Sequence, residues 1–415
     1  MKNTAENVVI IDIGLQTKAE HSFALAQRLQ AELLAREIHV EIYGNAKLET
    51  AIVAKLKAIP HFKRGMYQFA PNPIRARIYR LFRKLRITTA YAPPSEVTTA
   101  QRYNDQFRED LTALPAQVFE NVGICLFPGL FQNQILGLAR YVAENHQKIS
   151  AKIVCVLMFP PTWTTWGKVA RNGPQVYAEA FNLLKPFIGS KVFFACENQA
   201  IAALFKNQFN IKVGLLPIPL GENAVISTDK KDHICIGFMG NSKREKGFHL
   251  LPEAIKICCE NRADLKFLIQ VNPEPGDCSI TETIRKICAS PNTRTIEGPL
   301  TSKVYKDESD KIDIVLLPYD PIQFGMRGSG VFTETVSGGR LTVATQGTWA
   351  AQEIINQKAA GEVFESYNSQ SLAEAILRLC NRNEVARLLA IKLASENKGK
   401  NSPAEYVDRL LALAQ

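Results

Sequence analysis

Apolar residues along the chain fall into short runs, separated by stretches in which they recur every three or four positions, as in strands alternating with amphipathic helices. Val8–Ile11 is the first run; a loop from Asp12 to Glu20 and a helical pattern over about 22–36 lead to a second, His39–Tyr43, ending at Gly44. Strand, crossover helix and strand predict a parallel sheet with ligands near the carboxyl ends of its strands. Runs at 121–127 and 153–159 read as buried parallel strands around a helix over 132–144, followed by a strand at 191–195, a helix at about 198–206 and a strand near 212–216.

Leu216-Pro217-Ile218-Pro219-Leu220-Gly221 breaks both helix and central strand and marks a domain boundary. A fresh alternating set begins at Ile234–Met239, with a helix at about 248–260, a strand at 266–271 and a helix at 279–288. Strands at 294–297 and 312–317, a helix at 332–338 and a strand at 341–345 complete it. The expected fold class is α/β, two doubly wound Rossmann-like domains spanning 1–220 and 221–401, with a helix at about 402–415 packing back on the first.

A chain of 415 residues exceeds the size at which single cores stop growing, in agreement with two domains. Its 46% hydrophobic and 22% charged residues are those of an ordinary globular protein, and no stretch approaches a membrane span. The N-terminus lacks a formed secretory signal, so a cytoplasmic location is expected. Nine cysteines sit mostly in apolar runs without zinc-site spacing and read as buried free thiols. The net charge of +10 is local: between Thr50 and Ser95 there are ten basic residues and no acidic ones.

Two segments of the second half carry candidate chemistry. A glycine-bracketed turn opening a helix, Arg327-Gly328-Ser329-Gly330-Val331, points backbone N–H groups outward, and the helix dipole adds to their preference for anions. That geometry suits a diphosphate. Arg327 offers a planar, bidentate partner for phosphate oxygens, and Glu334, about one turn further in, a carboxylate for two neighbouring ribose hydroxyls. The same residues also suit a helix cap beside a surface arginine. The second segment, Gly240-Asn241-Ser242-Lys243-Arg244-Glu245-Lys246-Gly247, places three cations at a βα turn, which reads as a diphosphate site or as a solvated charged loop.

Together these segments resemble the donor half of a GT-B glycosyltransferase, especially the retaining group called glycosyltransferase family 4, over roughly 233–380, with weaker similarity before it. The resemblance implies a GT-B fold whose two domains face a cleft, and a nucleotide-diphosphate sugar as substrate, with no cofactor. It implies roles for Lys246 and Glu334; with Arg327, read from the chemistry of its own turn, these are the expected catalytic residues, and the expected donor site is formed by them with Gly240, Asn241, Arg244, Ser329, Gly330 and Val331. Lys246 would sit on the diphosphate, and Glu334 with the following Gly338–Val343 on the ribose. Two positions depart from the family. Asn241 stands where an arginine usually follows the first glycine, leaving that role to Arg244 or Lys243, and Met326 stands eight positions before Glu334, where a first glutamate is usual.

In the N-terminal half, the loop from Gly14 to His21 would face the cleft, with both residues on the acceptor side; His21 also suits a helix start. Phe159-Pro160-Pro161 and Glu197, at strand ends, are further cleft candidates. No metal is required, because fixed cations and helix N-termini can stabilise a leaving diphosphate, and no Asp-x-Asp motif is present.

Between Ile74 and Arg86 apolar residues recur at helical spacing among six basic ones. Such a helix suits an anionic membrane interface, an acidic glycan, or simple packing on its own domain. Nucleic acid is not an expected partner, since no reading motif or stacking aromatics accompany the charge. The expected function is sugar transfer from a nucleotide-diphosphate donor to a hydroxyl of a glycan or lipid-linked acceptor, in surface polysaccharide or lipopolysaccharide synthesis, retaining and metal-independent, with the enzyme cytoplasmic or peripheral on the inner membrane face. A nucleotide-sugar epimerase and a non-catalytic nucleotide-sugar scaffold are the alternatives.

Overall fold

The computed structural model describes residues 7–17, 21–66, 96–163, 172–221, 232–273 and 279–415. The basic segment 74–86 lies outside them. The chain divides into two compact units, 1–216 with 407–415, and 217–406. Each is built on its own parallel sheet. Among the described residues no helix is long and apolar enough to cross a membrane.

The first sheet comprises β1 (Asn7–Ile11), β2 (His39–Asn45), β3 (Ile59–Phe62), β4 (Ile124–Leu130), β5 (Lys152–Leu157), β6 (Val192–Cys196) and β7 (Gly214–Leu215). Their order is β3-β2-β1-β4-β5-β6-β7, every pair parallel. Helices on both faces bury its centre, which is why β4 and β5 read as unbroken apolar runs and not as alternation. Two prolines sit where a missing N–H is tolerated: Pro60 on the edge strand β3, and Pro128 where the β4–β5 register shifts.

A buried amide fixes how two helices of this unit approach. Asn104, fully buried in the helix Glu96–Thr112, donates from Nδ2 to the carbonyls of Ala100 and Gln132, both at 2.7 Å, and its Oδ1 accepts the Gly137 N–H at 2.8 Å. Gly137 lies in the helix Ile135–Asn145, where an added Cβ would come within 2.3 Å of the Asn104 carbonyl oxygen. The helix Pro403–Leu413 returns to this unit, where Arg36 pairs with Asp408 at 2.5 Å and Leu413 fills the space above Gly214.

The second sheet comprises β8 (Ile234–Phe238), β9 (Leu265–Val271), β10 (Thr293–Glu297), β11 (Ile314–Leu317), β12 (Leu341–Thr345) and β13 (Gly361–Phe364), in the order β10-β9-β8-β11-β12-β13, again parallel. From β8 the chain moves outward to β9 and β10, then returns to place β11 on the other side of β8. The strand order reverses between β8 and β11, and a crevice at the carboxyl ends of such a pair is where open α/β sheets bind ligands.

The cysteines depart in part from expectation. Cys125, Cys155, Cys196, Cys235, Cys258 and Cys380 are buried free thiols, but Cys259 is partly exposed and Cys288 exposed. Cys288 ends the helix Thr281–Cys288, whose one buried residue is its neighbour Ile287.

Gly137→Ala is expected to destabilise the protein by about 1–3 kcal/mol, because the obstructing atom is helix backbone and cannot swing aside. Urea denaturation followed by circular dichroism measures it, and an unchanged midpoint would show that the helix contact is looser than described.

Candidate active site

β8 delivers the chain to Met239 and Gly240, whose φ of 111° suits a residue without Cβ. The Gly240 N–H donates to Gln270 Oε1 at 2.7 Å, and Gln270 Nε2 donates to the Gly298 carbonyl at 2.9 Å, so one buried amide side chain ties together the ends of β8, β9 and β10. Ser242, fully buried, donates from Oγ to the Gln270 carbonyl at 3.2 Å and accepts the Asn272 N–H at 2.8 Å. The loop is thereby held before it turns through the 3-10 segment Arg244–Lys246.

Gly247 closes that turn at φ 71°, ψ 14°, and a Cβ there would lie 1.8 Å from the Pro318 carbonyl oxygen. The Asp320 N–H also donates to the Glu245 carbonyl at 2.8 Å. The βα turn after β8 is thus seated directly on the segment after β11. The Arg244 carbonyl, which accepts from Gly247 N–H at 2.9 Å, also takes the Tyr367 hydroxyl at 3.4 Å. Burial holds His249 below the usual imidazole range, with the Arg244 charge adding to the effect, so it stands neutral behind the turn.

This seating brings two cations onto one aromatic pair. Tyr319, buried just beyond β11, packs against Phe324 with ring centroids 4.4 Å apart. Lys246 Nζ lies 5.9 Å from the Tyr319 centroid, and the Arg327 guanidinium carbon 4.8 Å from that of Phe324. Burial pulls the Lys246 ammonium down to about 8, and the neighbouring Arg327 and Lys243 charges add to the depression, with Glu245 opposing it. Lys246 is therefore cationic at neutral pH but poorly solvated.

Ser329 caps the helix Gly330–Ser337, its Oγ accepting the Phe332 N–H at 3.3 Å. Burial pushes the Tyr319 phenol up to about 12, so it stays neutral. The Ser329 side chain is committed to the fold, and an anion at this turn would be met by backbone. Among the described residues no acceptor is found for the N–H groups of Gly330 and Val331, and nothing lies within 4 Å of a Cβ placed on Gly330. Glu334 is half-buried further along this helix, and its charge adds to the burial that raises the Tyr305 phenol.

The carboxyl ends of β8 and β11 thus gather Gly240, Lys246, Arg327, Ser329, Gly330, Val331 and Glu334 in one region. A Cβ on Gly240 would come within 3.1 Å of Lys246 Nζ. Asn241 and Arg244 are exposed on the same turn, and Asn241 Oδ1 accepts Asn272 Nδ2 at 2.8 Å. In the first unit the Gly14 N–H donates to Asp12 Oδ1 at 2.8 Å, and His21 is the exposed first residue of the helix His21–Ala35. Asp12 is buried, which raises its pKa against the opposing bonds from Gly14, Ser22 and Leu15. Phe159 is buried in a stack with Trp163, ring centroids 3.9 Å apart, while Glu197 is partly exposed beside the Asn198 cap.

Sequence reasoning missed Gln270, Tyr319 and Phe324. A glutamine inside the apolar run Leu265–Val271 was the available signal for the first; the aromatics look like any core residues until their cation partners are in place.

With the geometry in hand, comparison with known proteins gives a clear domain assignment. Residues 233–382 match the family described as glycosyl transferases group 1. The match lies within the second unit and supports glycosyl transfer as the activity class. No curated protein matches the chain by sequence. Among solved structures, it is similar to Anabaena HepE in complex with UDP, at TM-score 0.61 and 12% identity, covering 98% of each chain. It is also similar to a UDP-forming α,α-trehalose-phosphate synthase from Burkholderia xenovorans, at 0.63 and 13%, covering 99% of each. A putative UDP-N-acetylglucosamine 2-epimerase from Listeria monocytogenes aligns at 0.54 and 14%, covering 98% of this chain and 94% of that one. At these identities the likeness concerns the fold, which is the GT-B class of paired Rossmann-like units.

Gly247→Ala combines an unfavourable backbone conformation with a collision against backbone, and is expected to cost about 2–4 kcal/mol in urea denaturation. A loss under half a unit would mean that the two loops are not pressed together.

Lys246 carries charge below about pH 8 and loses it above, so UDP affinity is expected to fall several-fold between pH 7.5 and 9.5. Lys246→Arg, which stays charged, should flatten that fall. Calorimetric titrations across this range test the pair, and superimposable profiles would refute the depressed lysine.

Proposed function

We propose that the protein transfers a sugar from a nucleotide-diphosphate donor to a hydroxyl of a glycan or lipid-linked acceptor. The observation that carries this reading is the pair Lys246 and Arg327 on one aromatic platform, with the start of a helix whose Gly330 and Val331 N–H groups find no acceptor among the described residues. Two side-chain cations and a helix N-terminus suit the charge that develops on a departing nucleoside diphosphate. In this reading Lys246 and Arg327 hold the phosphates, Glu334 takes the ribose, and Gly240 lets the first loop approach the ligand closely. Asn241 and Arg244 would line its exposed side, and Gly14 and His21 would serve the acceptor. UDP in the similar HepE structure makes uridine nucleotides the first donors to try.

The finer features of the proposal are retention of anomeric configuration, independence from metal, and a place in surface polysaccharide or lipopolysaccharide synthesis. Contact of segment 74–86 with an anionic membrane surface belongs with them, its support being the charge pattern.

A panel of uridine, guanosine and thymidine diphosphate sugars, with and without candidate acceptors, tests the reaction type. Release of nucleoside diphosphate that requires an acceptor is the expected result. Epimerised donor without acceptor-dependent transfer would replace this reading with an epimerase, as the fold of the Listeria protein allows; binding without any turnover would replace it with a scaffold. Lys246→Ala, Arg327→Ala and Glu334→Ala are each expected to lower nucleoside-diphosphate affinity by about 1.5–3 kcal/mol, the cost of a lost charged hydrogen bond. Three variants that bind like the parent would sink the site.

A further inference from the structure

The helix Asn383–Glu396 buries Ala386, Ala390 and Leu393 in the core of the second unit and turns Val385, Leu388 and Leu389 outward, the first two of these 74% and 70% exposed. At helical spacing the three form one stripe, and it borders a cavity of about 300 Å³. Ile354, Ala359 and Ala360, which precede the edge strand β13, line that cavity together with Val385, Ala386 and Leu389. Apolar surface gathered in this way marks a binding face.

The charges around the stripe say what covers it. Glu384 stands four residues before Leu388 and Lys392 four after it, both exposed and each one helical turn away on the same side. A two-fold axis at Leu388 lays the same helix of a second copy antiparallel, so that each copy's Glu384 meets Lys392 of the other while the apolar residues meet one another. Within its own helix Lys392 pairs with Glu396 at 3.8 Å, an exposed contact that leaves the ammonium further donors. An anionic membrane suits this face less, since Glu384 and Glu396 flank its apolar stripe. Strand addition is opposed as well, because Arg382 Nη2 already donates to the Gly361 carbonyl of β13 at 2.9 Å. We propose that the protein forms a two-fold dimer through antiparallel pairing of this helix, with Glu384 and Lys392 fixing its register.

One helix from each copy makes a small interface, so dissociation in about the micromolar range is expected. Sedimentation equilibrium of the full chain over a range of concentrations tests this, and the parent should show a reversible monomer–dimer equilibrium. Leu388→Glu places like charges at the axis and should abolish the dimer. Glu384→Lys and Lys392→Glu should each weaken dimerisation by about tenfold or more, and the two together, which restore opposite charges across the axis, should recover most of it. All three side chains are exposed, so melting temperatures close to the parent's are expected, and recovery in the double variant separates lost pairing from a folding defect.

A parent that stays monomeric at every concentration overturns the proposal, and binding to anionic vesicles that Leu388→Glu abolishes would then give the face to a membrane. A dimer that survives Leu388→Glu lies elsewhere on the molecule and overturns it too. Single variants that weaken the dimer without recovery in the double variant would refute the antiparallel register.

Discussion

The candidate site depends on one close contact, the backbone of Gly247 against the carbonyl of Pro318. Only a residue without Cβ can occupy that space, and it is also the residue that most readily adopts the left-handed conformation closing the Arg244–Lys246 turn. Sequence composition at a single position therefore decides whether the loop after β8 can lie on the loop after β11. Once it does, the Asp320 N–H reaches the Glu245 carbonyl, and Lys246 comes over Tyr319. The sheet places the two loops side by side at the strand-order reversal; the glycine brings them into register.

That register sets like charges near each other. Lys246 is lowered from 10.5 to about 8 chiefly by burial and further by Arg327 and Lys243, a penalty on the order of 3 kcal/mol for its charged form. The aromatic platform offsets part of this, since cations over ring faces are stabilised by about 0.5–2 kcal/mol each. A polyanion at the same place would relieve both the repulsion and the poor solvation. In the proposed site this repulsion would favour a bound polyanion, which helix N–H groups would also meet.

Much of the fold was legible because buried parallel strands write themselves as apolar runs. β1, β4, β5, β9 and β12 all sit where such runs lie. What escaped was structure whose logic is tertiary. β3 contains Pro60 and survives because it is an edge strand, while β13, Gly361–Phe364, is a four-residue edge strand with one fully buried position. The helix Glu96–Thr112 is polar in sequence and is fixed by the buried Asn104, whose three hydrogen bonds no local pattern announces. At the site, charged and glycine residues gave themselves away by type and spacing. Tyr319 and Phe324 did not, since an aromatic residue reads as core until a cation is placed against it.

The departure at Met326 gains a physical meaning in this setting. Where the family that the sequence resembles usually has a glutamate, this chain has a partly exposed methionine, followed at once by Arg327 on Phe324. A carboxylate at 326, one residue from Arg327, would compete with a bound diphosphate for the same cation. Methionine brings no competing charge to the loop. Directional contact to a sugar hydroxyl is lost in exchange, because a thioether is a weak acceptor. In the proposed site the balance of the loop therefore shifts from reading the sugar toward gripping the phosphates.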